Sequence, residues 1–270
     1  LLQRTGAKVA ELEPLLLSAV EANPFDARAR LALIQYRLAT FRAAQALASA
    51  QDAVAAIPDD LMLQDALARA QLAAGDAQQA RATLGRIAAA QPKVPDPFMR
   101  LADAYVSMKD YDAAVEALHS ALKVAPNLVA AQHKLIEVEL ARGRVPAALA
   151  VAKQVQQQHP REAEGYWMEA SIHAAQKAWD PAIAAARSAL EHERGTKSAA
   201  RLYNLMLLAG RPADAERFAT AWRRERPNDL DFVFSMATMA LGRNDYAAAE
   251  ALYREVLAGR PDDAATLNNV

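Results

Sequence analysis

Seven prolines set the frame of this chain. Pro24, Pro58, Pro92, Pro126, Pro160, Pro227 and Pro261 stand 34 residues apart, except for one step of 67, which is 34 plus 33 with Arg194 at the vacant node. A proline inside a helix removes a hydrogen bond and clashes with the preceding turn. One that recurs at a fixed interval therefore marks where an element stops, and a period of 34 is the mark of stacked structural repeats. A second column runs twelve residues before each node and is alanine every time: Ala46, Ala80, Ala114, Ala148, Ala182, Ala215 and Ala249. Five residues before that column, three repeats carry glycine: Gly75, Gly143 and Gly210.

Each mark has a physical reading. The glycine ends a first helix by taking left-handed geometry. A second helix then starts, in three repeats with proline in its first turn: Pro146, Pro181 and Pro212. The node proline stops it. The Asp or Asn that follows, as in Pro58-Asp59-Asp60, Pro126-Asn127, Pro227-Asn228-Asp229 and Pro261-Asp262-Asp263, is expected to cap the next first helix. At the irregular node Arg194-Gly195-Thr196, Gly195 is expected to end one helix and Thr196 to cap the next. The alanine column marks a helix contact too close for a larger side chain.

Composition agrees with a thin helical body. Of 270 residues 67 are alanine, so the 53% apolar content contains too few large side chains for one thick core. Alanine costs no side-chain entropy in a helix. Lys and Arg total 31 against 32 Asp and Glu, which leaves no global basic field for nucleic acid. No apolar run is long enough to span a membrane. The absence of cysteine removes disulfides, thiol catalysis and Cys-based zinc sites, and fits cytosol and periplasm alike.

The repeat resembles the tetratricopeptide repeat, most clearly at 95–128, where Phe98, Leu101, Ala102, Tyr105, Ala114, Leu118, Ala121 and Pro126 fit its large, small and proline columns. The resemblance implies an all-α fold, a right-handed α-solenoid superhelix of antiparallel helix pairs. One solenoid over 1–270 is expected, with seven full repeats at 27–60, 61–94, 95–128, 129–162, 163–195, 196–229 and 230–263. Residues 1–26, with Gly6 and Pro24 as landmarks, form a partial repeat, and 264–270 open another, so the chain is expected to be a piece of a longer array.

A narrower resemblance rests on Gln156-Gln157-Gln158-His159-Pro160, Gly165-Tyr166, Arg201-Leu202-Tyr203, Ala209-Gly210-Arg211-Pro212 and the ending Asp262-Asp263-Ala264-Ala265-Thr266-Leu267-Asn268-Asn269. These segments are similar to the tetratricopeptide-repeat lipoproteins of the PEP-CTERM/exosortase system. That similarity implies a parent linked to exopolysaccharide production and protein sorting, lipid-anchored at the periplasmic face of the bacterial envelope. A generic tetratricopeptide array of similar composition is the rival expectation, and a cytoplasmic location stays open.

No catalytic constellation emerges. There is no phosphate-cradling glycine loop, no GxSxG elbow and no HExxH. His119, His133, His159, His173 and His192 lie in different repeats, and His133 with Glu137 reads as a solvated helix pair rather than metal ligands. His192 reads as exposed and unpaired. No enzyme activity, cofactor or metal is expected.

The resemblance places first helices on a concave face, with repeat positions 2, 5, 9 and 12 turned inward. The partner-binding residues expected there are Arg28, Leu31, Gln35, Asp65, Arg69, Met99, Asp103, His133, Glu137, Trp167, Ser171, Asn204, Phe234 and Thr238. Position 12 is nearly always apolar and reads as groove floor. At position 5, Met99, Trp167 and Phe234 either anchor a partner or pack on neighbouring helices. Asp65, Asp96, Asp103, Glu137, Glu164 and Asp231 outnumber Arg28, Arg69 and Lys197. The surface therefore reads as weakly acidic, suited to a neutral or basic protein segment and not to nucleic acid. Lys197 and Asn204 alone do not make a clamp for a C-terminal carboxylate. The function expected is a non-enzymatic protein-interaction scaffold. The alternatives are a substrate-recruiting arm of a larger enzyme, such as a glycosyltransferase, or a polysaccharide-export scaffold.

Overall fold

The structure is a computed structural model that describes residues 9–269. Gly6 lies outside the described residues. Among those described the chain is helical with no strand: α1 (Val9–Ala22), α2 (Ala27–Ala39), α3 (Ala43–Ala56), α4 (Leu61–Ala73), α5 (Ala77–Ala90), α6 (Pro95–Ser107), α7 (Tyr111–Val124), α8 (Val129–Ala141), α9 (Val145–Gln158), α10 (Glu164–Ala175), α11 (Trp179–His192), α12 (Thr196–Leu208), α13 (Pro212–Glu225), α14 (Leu230–Gly242), α15 (Tyr246–Gly259) and α16 (Ala264–Leu267). Among the described residues no helix is long and apolar enough to cross a membrane. Packing divides the chain into two compact units, one ending at Gly143 and the other starting at Arg144.

The turn inside each helix pair is marked seven times by the same backbone conformation. The residue fifteen places into each repeat is left-handed: Phe41, Gly75, Lys109, Gly143, Lys177, Gly210 and Asn244, with φ between 54° and 81°. After Phe41, Gly75, Lys109, Lys177, Gly210 and Asn244 the next residue donates its N–H back over the end of the helix, as from Asp76 to Gln71 at 2.8 Å and from Asp110 to Tyr105 at 2.9 Å. This closes the orphan carbonyls of the helix end. Asp76, Asp110 and Asp245 then cap the second helix, each accepting at 3.2 Å from the N–H three residues on.

The node prolines stand just after the second helices, as at Pro58 behind α3 and Pro126 behind α7. The cap of the next first helix lies two residues past the proline. Asp26, Asp60, Asp229 and Asp263 each accept from backbone N–H groups there. Asn127 is one residue too early; Leu128 occupies the cap and supplies no side-chain bond. The irregular node also differs from expectation. Gly195 is extended, with φ −130°, and is itself the cap residue of α12. Thr196 is the first helical residue, and its Oγ1 donates to the Asp229 carboxylate at 3.0 Å. That carboxylate also accepts from Trp222 Nε1 at 2.9 Å, so it ties α12, α13 and α14 together.

The alanine column is buried throughout, six of its members completely and Ala249 at 2% exposure. In the first unit, α2 packs on α3 and α4, and α5 on α4 and α6. Ile34, Ala46, Ala50, Leu63 and Ala66 form one cluster there, and Leu84 with Ile87 anchors another. In the second unit Phe232 is the aromatic hub, edge-on to Tyr203 at 6.0 Å and to Phe218 at 6.3 Å, with Trp222 also at 6.0 Å. Gly165 of α10 lies where a Cβ would meet the Gln156 backbone nitrogen of α9 at 2.7 Å, so the helices touch there through backbone. Gln156 closes that contact by donating to Gly165 O at 3.2 Å and to Glu169 at 2.6 Å.

Candidate partner-binding surface

The first helices carry every residue expected to bind a partner. In the first unit, Leu31 and Gln35 of α2 and Asp65 and Arg69 of α4 line one cleft, with Met62 and Arg100. Arg28 and Gln35 are exposed, Leu31 and Met99 half-buried, and His133 and Glu137 both exposed on α8. Position 12 is half-buried from repeat to repeat (Leu38, Leu72, Val106, Leu140).

Three of the six acids read from the sequence are paired with cations of the chain. Asp65 pairs with Arg100 at 2.6 Å and Arg69 at 3.3 Å. Asp103 pairs with Lys134 at 2.8 Å, and that hydrogen bond holds the Lys134 ammonium above its usual value. Asp231 pairs with Arg260 at 2.5 Å. Arg100 and Lys134 occupy repeat position 6, next to the positions used for the charge comparison. A helix step of 100° per residue leaves position 6 on the same face as positions 2, 5 and 9. Position 6 is where the sequence carries the cations that meet these acids.

In the second unit, Trp167, Ser171, Asn204 and Arg201 line a second cleft between α10 and α12. Trp167 is only 4% exposed and belongs to the core with Ala170, Ala199 and Tyr203. The guanidinium of Arg201 lies 3.9 Å from its ring centroid, a cation–π arrangement. Trp167 is thus a packing residue with one face towards the cleft, not an exposed anchor, and its Nε1 has no acceptor among the described residues. Ser171 is exposed and donates to Trp167 O at 2.8 Å. Phe234 packs on Tyr253 at 5.7 Å, and Thr238 beside it donates to Phe234 O at 3.0 Å. Neither Phe234 nor Thr238 joins the cleft of Trp167.

Among the described residues no group of three or more His, Asp or Glu gathers to hold a metal. His192 is exposed but not unpaired: its Nδ1 lies 2.8 Å from Ser188 O, and its ring stacks on Tyr166 at 4.4 Å.

Residues 71–138 and 105–172 match the family model described as tetratricopeptide repeat. No curated protein matches at the sequence level. Among solved structures, the chain is similar to yeast Tom70 at 13% identity, with 93% of this chain and 55% of that one covered and a TM-score of 0.58. It is also similar to a tetratricopeptide repeat protein from Parabacteroides merdae at 12% identity, with 90% and 96% covered and a TM-score of 0.52. A crystal structure of MamA matches at 17% identity over 62% of this chain and 92% of that one, with a TM-score of 0.50. The chain spans about half the length of Tom70. At these identities the likeness is one of fold: paired helices stacked as in a tetratricopeptide solenoid.

Proposed function

We propose that this tetratricopeptide-repeat chain is a non-enzymatic scaffold that holds extended protein segments against the faces of its first helices. The observation that carries the reading is the clefts between successive first helices, α2 with α4 and α10 with α12, each mixing apolar wall with polar side chains. A repeated surface of this kind can bind a segment along its length, residue by residue, without the preformed deep pocket that a small substrate needs.

The partner is a neutral extended segment in most of its length. Three of the acids that suggested a basic partner already hold cations of the chain, so no run of Lys or Arg is demanded. The parent is read as an envelope lipoprotein of the PEP-CTERM/exosortase system, lipid-anchored at the periplasmic face. That part rests on the sequence resemblance alone. Labelling the parent with radioactive palmitate tests it: incorporation supports the anchor, and an unlabelled parent removes the envelope placement while leaving the scaffold untouched.

The scaffold itself is tested with peptides selected on the whole chain from a random display library. Replacing Gln35, His133, Ser171 and Thr238, exposed on four first helices, by Arg should weaken the selected peptides at least about tenfold, or roughly 1.4 kcal/mol. Replacing Arg81, Glu116, Lys153 and Arg187, exposed on second helices, by Ala should leave them unchanged. The reverse pattern refutes the reading.

A further inference from the structure

In the first unit, a cation at repeat position 6 is matched by an acid one repeat earlier. Arg100 takes Asp65, which stands at position 5, and Lys134 takes Asp103, at position 9. The same position on α12 is Arg201. The places that would supply its acid hold Trp167 and Ser171 instead. Arg201 accordingly forms no ion pair among the described residues and lies on the indole of Trp167. Partial burial lowers its pKa, and the carboxylates of Glu164 and Glu193 oppose that shift only through space. Arg201 is exposed at the edge of the cleft, so with one face on the indole its guanidinium still has N–H groups free to take a carboxylate from outside.

The surroundings specify more than charge. The cleft is walled by Ala170, Ala174, Leu205 and Leu208, and Leu208 is 65% exposed. Asn204, one turn on from Arg201, lines the same cleft and makes no side-chain hydrogen bond among the described residues. Its amide can both donate to and accept from the backbone of an extended chain.

We propose that the cleft between α10 and α12 is a seat for an acidic residue of a bound partner segment, an Asp or Glu followed by an apolar side chain, with Arg201 as its cation, Asn204 gripping the backbone and Leu208 the apolar platform. The guanidinium fork suits a carboxylate in two-point contact, which an ammonium cannot reproduce. The proposal rests on the scaffold reading and makes it specific at one junction. It is a proposal about protein segments and not about phosphate.

The test uses the whole chain labelled with nitrogen-15 and two probes, N-acetyl-Gly-Asp-Leu-Gly-amide and its Asn counterpart. The Asp peptide is expected to shift the Trp167 indole and Arg201 Nε resonances saturably, and at least about tenfold more tightly than the Asn peptide. Arg201→Gln should abolish that difference with an unchanged melting temperature, and Arg201→Lys should retain only part of it. Equal shifts from both peptides, no shift from either, or selectivity that survives Arg201→Gln overturns the seat. Inorganic phosphate that moves the same resonances as strongly as the Asp peptide overturns the choice of occupant. If library-selected peptides still bind the first helices while the Asp probe fails, the seat falls and the scaffold stands.

Discussion

Left-handed backbone at a residue with a Cβ costs about 1–2 kcal/mol, and this chain accepts that cost at Phe41, Lys109, Lys177 and Asn244. The glycines at Gly75, Gly143 and Gly210 revealed the turn in the sequence. The other four did not, because the hydrogen bonds that close the turn are made by backbone and tolerate any side chain directed to solvent. Lys109→Gly and Lys177→Gly should therefore raise stability by about 0.5–1 kcal/mol, and Gly75→Ala should lower it by about 1–2 kcal/mol, read as shifts in the urea midpoint. Titration gives a second prediction. Burial and the Glu216 carboxylate, which accepts the Tyr203 O–H at 2.8 Å, push Tyr203 up to about 12. Below pH 10 folded and unfolded chains both keep this proton; between about 10 and 12 only the unfolded chain loses it. The stability contributed by the neutral phenol is thus lost as pH rises through that window. Tyr203→Phe should flatten the fall, and the phenolate absorbance of the wild type should show one tyrosine titrating late.

Helices and their ends were legible because prolines, alanines and acids act locally. The caps at Asp26, Asp60, Asp229 and Asp263 follow from sequence once the offset from the proline is counted as two residues. Gly195 and Thr196 were misassigned because both residue types serve more than one end of a helix, and the deciding partner, Asp229, lies a repeat away. Helix contacts give the tests at this scale. Ala114→Leu inserts bulk at a position with no exposed surface and should destabilise by about 1–3 kcal/mol. Gly165→Ala should also destabilise, because the new methyl meets backbone of α9. Gly85→Ala, on α5 with nothing within 4 Å of the added carbon, should stabilise by up to about 1 kcal/mol through helix propensity. Calorimetry on the three variants separates packing from propensity. Opposite signs for the two glycines are the expected result.

At the scale of the molecule, a repeat array makes its surface by recurrence, so what one repeat shows can be compared with what the next omits. The repeat period and the first-helix positions could be read from the chain. The ion pairs could not, since Arg100 to Asp65 and Lys134 to Asp103 join residues of different repeats whose proximity depends on how helices stack. Trp167 shows the same limit: its residue type fits an anchor or a core, and only its burial beneath Arg201 decides for the core. A Trp167→Ala variant would therefore cost about 3–5 kcal/mol of packing and report on folding before binding, which makes Arg201 the cleaner probe. The central claim is that partners lie on the first helices. A photo-crosslinking amino acid placed singly at Gln35, His133, Ser171 and Thr238, and at Arg81, Glu116, Lys153 and Arg187, tests it directly in cells that make the full-length parent. The account predicts protein adducts from the first set and none from the second; adducts confined to the second set, or spread evenly over both, would contradict it.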